Sequence, residues 1–175
     1  MLLFTAKIFE IYCNSSTIEN MIPDFDKLTS AEIELLHKAP VLVSILIAGA
    51  DGKIDNKEVK RAISLTEEKQ KRTRSQLMEF YIEVGTDFED KIRIVIQSLP
   101  SKVDKRTAEI SNILKQLEPV FKKLGTQIAC EFYQSLREIA TEIAESSGGV
   151  LGLKTIGDEE ALLVNLPMIK DPATF

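Results

Sequence analysis

The segment from Thr29 to Ala50, TSAEIELLHKAPVLVSILIAGA, constrains the fold more than any other part of the chain. Thr29-Ser30-Ala31-Glu32 has the spacing of a capping box, in which a threonine hydroxyl and a glutamate carboxylate satisfy each other's free backbone NH groups, so a helix is predicted to start there. Ile33, Leu36, Leu42, Val43, Ile45, Leu46 and Ile47 then make an apolar surface too broad for one stripe. Such a helix has to lie in the middle of a bundle. Pro40 is expected to kink or divide it. The apolar run Val41 to Ala50 stops at Asp51-Gly52, well short of the roughly 18 residues needed to span a membrane.

The rest of the chain reads as further helices. Val59, Ala62 and Ile63 offer an apolar face to a second helix beyond the Asp51-Gly52 turn. Residues 67–76, EEKQKRTRSQ, are too polar to bury and read as exposed helix leading into Leu77 to Val84. Thr86-Asp87-Phe88-Glu89 offers another cap before Ile92, Ile94, Val95, Ile96 and Leu99, with Pro100-Ser101 as the stop. From Asp104 to Glu145 apolar residues recur at spacings of three and four, and Pro119 and Gly125 are expected to split this stretch into two or three pieces. A glycine-rich turn, ESSGG, precedes a last short helix, and the tail after Pro167 is expected to be extended. The expected fold class is therefore all-α, a compact bundle of about seven helices. The expected organisation is an extension over 1–28, a helical domain over 29–166 with halves near 29–99 and 104–166, and a tail over 167–175.

Composition narrows the function classes. Across 175 residues, 44% hydrophobic and 28% charged residues are ordinary for a globular protein. The net charge of −5 disfavours nucleic acid as a partner, because phosphate neutralisation needs a basic surface. The cluster Lys69, Lys71, Arg72, Arg74 lacks interleaved aromatic residues for base stacking and reads as a solvated helix face. Cys13 and Cys130 are distant and outside any CxxC, so neither a disulfide framework nor a zinc site is expected. The first residues, interrupted by Lys7 and Glu10, make a poor secretion signal, and the expected location is cytoplasmic. Met21 is an alternative start.

Two acidic corners carry the most chemistry. Ile47 to Glu58, IAGADGKIDNKE, runs from an apolar helix through small residues and a glycine turn to Ile54 and Glu58. Ile143 to Gly149 followed, after an insert, by Thr155 to Glu160 repeats that order, with Ile156 and Glu160 in the matching places. In each, glycine permits the reversal, isoleucine can plug the corner, and the acid falls in the first turn of the exit helix. Two such corners roughly ninety residues apart suggest an internal duplication with pseudo-twofold-related halves.

ADGKIDNKEV, followed at this distance by GGVLG and IGDEE, resembles the tellurite-resistance TerB-like family. The resemblance lies in residues 39–65 and 136–166. It implies an all-helical bundle of two related halves that acts without catalysis through protein contacts in a stress-related, tellurite-resistance or peripheral membrane assembly, with the acidic corners as the surface that recognises partners or metal ions. Ser146-Ser147-Gly148-Gly149 departs from the ADG triplet of the first corner, so the second lacks an acid matching Asp51.

Placed on a calcium loop with Gly52 as the sixth residue, the first corner puts Asp51, Asp55 and Glu58 at ligand positions, but Ile47 and Gly49 occupy two that need oxygen. The alternative function is weak binding of a divalent metal ion by Asp51, Asp55 and Glu58, completed by Asp158, Glu159 or Glu160. Against it stands a purely architectural reading: Asp55 caps a helix, Glu58 closes the box, and Asp158 to Glu160 complement a helix N-terminus. His37 has no companion for a relay and reads as a surface or partly buried helix residue, and Cys130 reads as packing. SSGGVLG is not followed by Gly-Lys-Ser/Thr and, with Lys154 misplaced, fails as a phosphate loop. No catalytic residue and no organic cofactor is expected.

Overall fold

The computed structural model describes residues 23–51, 54, 59–65, 68, 77–147, 156 and 158–175. Among them lie α1 (Ser30–Ala48), α2 (Leu77–Gly85), α3 (Phe88–Ser98), α4 (Val103–Leu114), α5 (Leu117–Phe121), α6 (Thr126–Ser147) and α7 (Asp158–Leu163), with 3-10 turns at Pro23–Lys27 and Pro172–Thr174. Residues 59–65 are also helical, and no strand occurs among the described residues. The protein is an all-α bundle.

Its axis is α1, which packs against all six other α-helices. The capping box predicted at its start is complete: the Thr29 hydroxyl accepts from the Glu32 backbone NH, and Glu32 Oε2 accepts from the Thr29 NH at 2.9 Å. Lys123 Nζ reaches the same carboxylate at 2.7 Å and holds it below the usual carboxylate range, pinning the helix start to the end of α5. Every residue from Ala39 to Ala48 is buried. That burial is the physical meaning of the broad apolar surface: the second half of the helix has no solvent side to keep polar. Pro40 does not divide the helix, which runs unbroken to Ala48. Pro40 is itself buried among the helices that pack on α1, and the Ser44 hydroxyl donates to the Pro40 carbonyl at 2.8 Å.

Phe80 of α2 is the hub of the aromatic core. Its ring meets Phe25, Tyr81 and Phe132 edge-on at 6.2, 5.3 and 5.2 Å, and His37 face-on at 5.0 Å. The adjacent Tyr81 is fully buried, with its hydroxyl on Ser135 Oγ. Because Ser135 Oγ itself donates to the Phe132 carbonyl, the proton between the two hydroxyls belongs to Tyr81. One hydrophobic cluster runs from Phe25 and Leu28 to Leu166 and Ile169, so the core takes in residues on both sides of 29–166.

Three local expectations give way to tertiary structure. The long region after Asp104 does divide into three, but the first break falls at Lys115-Gln116, and Pro119 sits in the first turn of α5. A proline there gives up only an NH that no helix turn would have used. Gly125 is the second break, and its NH donates to Asp24 Oδ2 at 3.1 Å. A Cβ at 125 would lie 2.8 Å from that oxygen, so a larger residue there would push the Asp24 carboxylate aside. At Asp87 the expected side-chain cap does not form: the residue adopts φ 56°, ψ 25°, and the Thr86 hydroxyl bonds back to the Ile82 carbonyl. The tail is not extended. Leu166 and Ile169 are buried, Pro172 is buried, and the final 3-10 turn packs on α6. Leu166 accepts φ 50° to put its side chain inside.

Candidate functional site

The first acidic corner is closed by a residue from elsewhere in the chain. After α1, Gly49 and Ala50 turn with their amides on the Ile45 and Ile47 carbonyls, Ala50 is buried, Ile54 packs against the core, and Asp51 is exposed. Arg106 of α4, itself only 6% exposed, donates through Nη2 to the Gly49 carbonyl at 2.8 Å, and its Nη1 lies 3.5 Å from the Ser101 carbonyl. A Cβ at residue 49 would sit 2.8 Å from Arg106 Nη2 and 3.1 Å from both the Ile45 carbonyl oxygen and Ile54 Cγ1. Glycine is needed here for space, since its φ is −115°. A guanidinium thus occupies a carbonyl oxygen at the turn, and a metal ion beside it would face a buried positive charge.

Sequence reasoning missed Arg106. The signal lay in its register: Val103, Arg106, Ile110 and Leu114 share one face of α4, so an arginine stands where a hydrophobe is expected. In the second corner Ile156 also packs against the core, Asp158 and Glu159 are exposed, and Glu160 is buried at 7% exposure. Among the described residues, no group of three or more His, Cys, Asp or Glu side chains comes together to hold a metal ion. Asp55 and Glu58, the basic cluster Lys69 to Arg74, the turn Gly148-Gly149, Lys154, Cys13, Met21 and the first twenty residues lie outside the described residues.

A concave surface lies elsewhere. A groove of about 310 Å³ runs between the first half of α1, the end of α3 and the second half of α4. Its α1 wall is the stripe Ala31, Glu34, Leu35, Lys38 and Leu42, spaced three and four apart. Leu42 and Val95 are buried beneath it, while Leu35, Leu99 and Ile113 are half-buried. Lys38 is paired with Glu34 one turn earlier, and among the described residues Glu109 on the opposite rim has no ion-pair partner. The lining contains no histidine and no cysteine, and its one hydroxyl, Ser98, donates to the Val95 carbonyl at 2.8 Å. Nothing in the groove pairs a nucleophile with a base.

His37 is not a surface residue but 6% exposed, stacked on Phe80 with the rings 5° from parallel. Burial, with the Lys91 charge adding to it, lowers its pKa from 6.5 to about 4. Cys130 is half-buried and unbonded to other sulfur.

No family model matches this chain, and no curated protein or solved structure matches it either. No helix among the described residues is long and apolar enough to cross a membrane.

Proposed function

We propose that this chain is a non-enzymatic helical interaction module whose groove between α1, α3 and α4 receives one amphipathic helix of a partner protein. The observation that carries this reading is the groove itself: an apolar floor of Leu42 and Val95, apolar shoulders of Leu35, Leu99 and Ile113, and a thin polar rim. Three-helix troughs of this kind accept a fourth helix through an apolar stripe with anchors three and four residues apart. The rim selects charge. With Glu34 neutralised by Lys38, Glu109 leaves the rim acidic, and a lysine or arginine flanking the partner's apolar stripe would complement it. Within the resemblance to the TerB-like family, such a module belongs to a stress-related, cytoplasmic assembly, with tellurite resistance as the process it serves. The acidic corners then act as architecture, and recognition falls to the groove.

The test needs no known partner. A displayed library of amphipathic helices, panned against the whole chain, is expected to give binders of about micromolar affinity with Lys or Arg beside the apolar stripe. Leu35→Glu and Ile113→Glu are each expected to weaken them by about tenfold or more, with the circular-dichroism spectrum unchanged. Binders indifferent to both substitutions, or a library without binders, would overturn the reading.

A further inference from the structure

The chain's single histidine is held in a place that suits only its neutral form. His37 lies on α1 with its ring flat against Phe80 of α2, and its buried Nε2 has no hydrogen-bond partner among the described residues. The charged groups around it offer no relief. From α3 comes Lys91, a half-buried cation that acts directly on the ring. Glu83 of α2 and Asp87 of the α2–α3 turn act on Lys91, whose Nζ lies 3.5 Å from the Glu83 carbonyl. On α1 itself the flanking Glu34 and Lys38 are paired with each other, and from α6 the neighbour of Phe80 is the uncharged Phe132. A proton on the imidazole would create a second buried cation next to Lys91 without an acceptor, which is among the costlier arrangements in a protein interior.

We propose that the His37–Phe80 stack is an acid-sensitive latch: protonation of the imidazole releases α2 from α1 while α1 and α6 remain packed. Phe80 is the residue of α2 that meets His37, beside Tyr81 with its hydroxyl on Ser135 of α6, so parting Phe80 from His37 opens the α1–α2 face to water without dismantling the α1–α6 contact. The direction follows from linkage. A histidine whose folded pKa is depressed binds its proton more readily in the opened state, so closure is favoured above about pH 6.5 and is progressively lost as pH falls toward 4.

Because His37 is the only histidine, its ring resonances in the full-length protein need no assignment, and their titration by NMR is the first measurement. A midpoint well below 6.5 is expected, and an unshifted midpoint would overturn the latch. The second is amide hydrogen exchange across α2, corrected for the intrinsic pH dependence. Protection of the Phe80 to Val84 amides is expected to fall by about thirtyfold between pH 8 and pH 5 in the wild type, the ratio implied by midpoints of about 6.5 and 4. His37→Phe keeps a ring on Phe80 and removes the titration, and should abolish that fall; His37→Gln serves if the phenylalanine variant does not fold. An equal fall in the variant would assign the effect to Glu83 or another carboxylate. A simultaneous loss of protection in α1 and α6 would mean global unfolding. Either result overturns the proposal, and neither bears on the groove.

Discussion

The two acidic corners read alike in sequence, yet the buried charge that the described residues place at each is of opposite sign. In the first, the chain leaves α1 through Gly49, plugs the turn with Ile54, exposes Asp51, and buries the guanidinium of Arg106 against a backbone carbonyl. In the second, Ile156 again packs on the core, but the buried charge is a carboxylate, Glu160, in the first turn of α7. Matching strings of acids do not therefore make matching sites. Among the described residues, what the corners share is apolar, an isoleucine against the bundle, and what separates them is the buried charge: Arg106 brought from α4 at the first, Glu160 of the corner itself at the second.

That contrast can be broken experimentally, and the largest effect should come from its centre. Arg106→Met keeps the aliphatic stem but leaves the Gly49 carbonyl buried without its donor, and is expected to cost about 3 kcal/mol in urea denaturation. Gly49→Ala, which forces a methyl group to within 2.8 Å of that guanidinium, should cost about 2 kcal/mol. Combining the two sharpens the argument: the double variant should lose less than the sum, because removing Arg106 removes the clash. At the second corner Glu160→Gln is expected to cost about 1 kcal/mol, reflecting its burial. Glu159→Gln, on the exposed face beside it, should stay within about 0.5 kcal/mol. Equal effects for residues 159 and 160 would remove the claim that the second corner is organised around a buried acid.

Parts of this molecule were legible in the sequence because the physics there is local. Thr29 and Glu32 are three residues apart and need only each other, and the apolar breadth of α1 states its burial without reference to any partner. The helical class followed for the same reason. The tail was misread because Leu166 and Ile169 are too few and too irregularly spaced to declare a face, and their burial depends on α6 being there. Of the two outcomes expected at Pro40, division does not occur: a helix packed against α2 to α7 runs on where a lone one would break. Of the candidate site, the acids of both corners were visible, yet Arg106 lies 57 residues beyond the Gly49 carbonyl it holds. The groove is assembled from α1, α3 and α4, and no single stretch of sequence contains it.

Two proposals stand or fall together: the first corner, closed by Arg106, is architecture, and recognition belongs to the groove. The most direct measurement is the melting temperature of the full-length protein with and without millimolar calcium. No shift is expected in the wild type, because a ligand that does not bind the native state cannot stabilise it. A rise that disappears in Asp51→Asn would contradict that expectation and return the corner to metal binding.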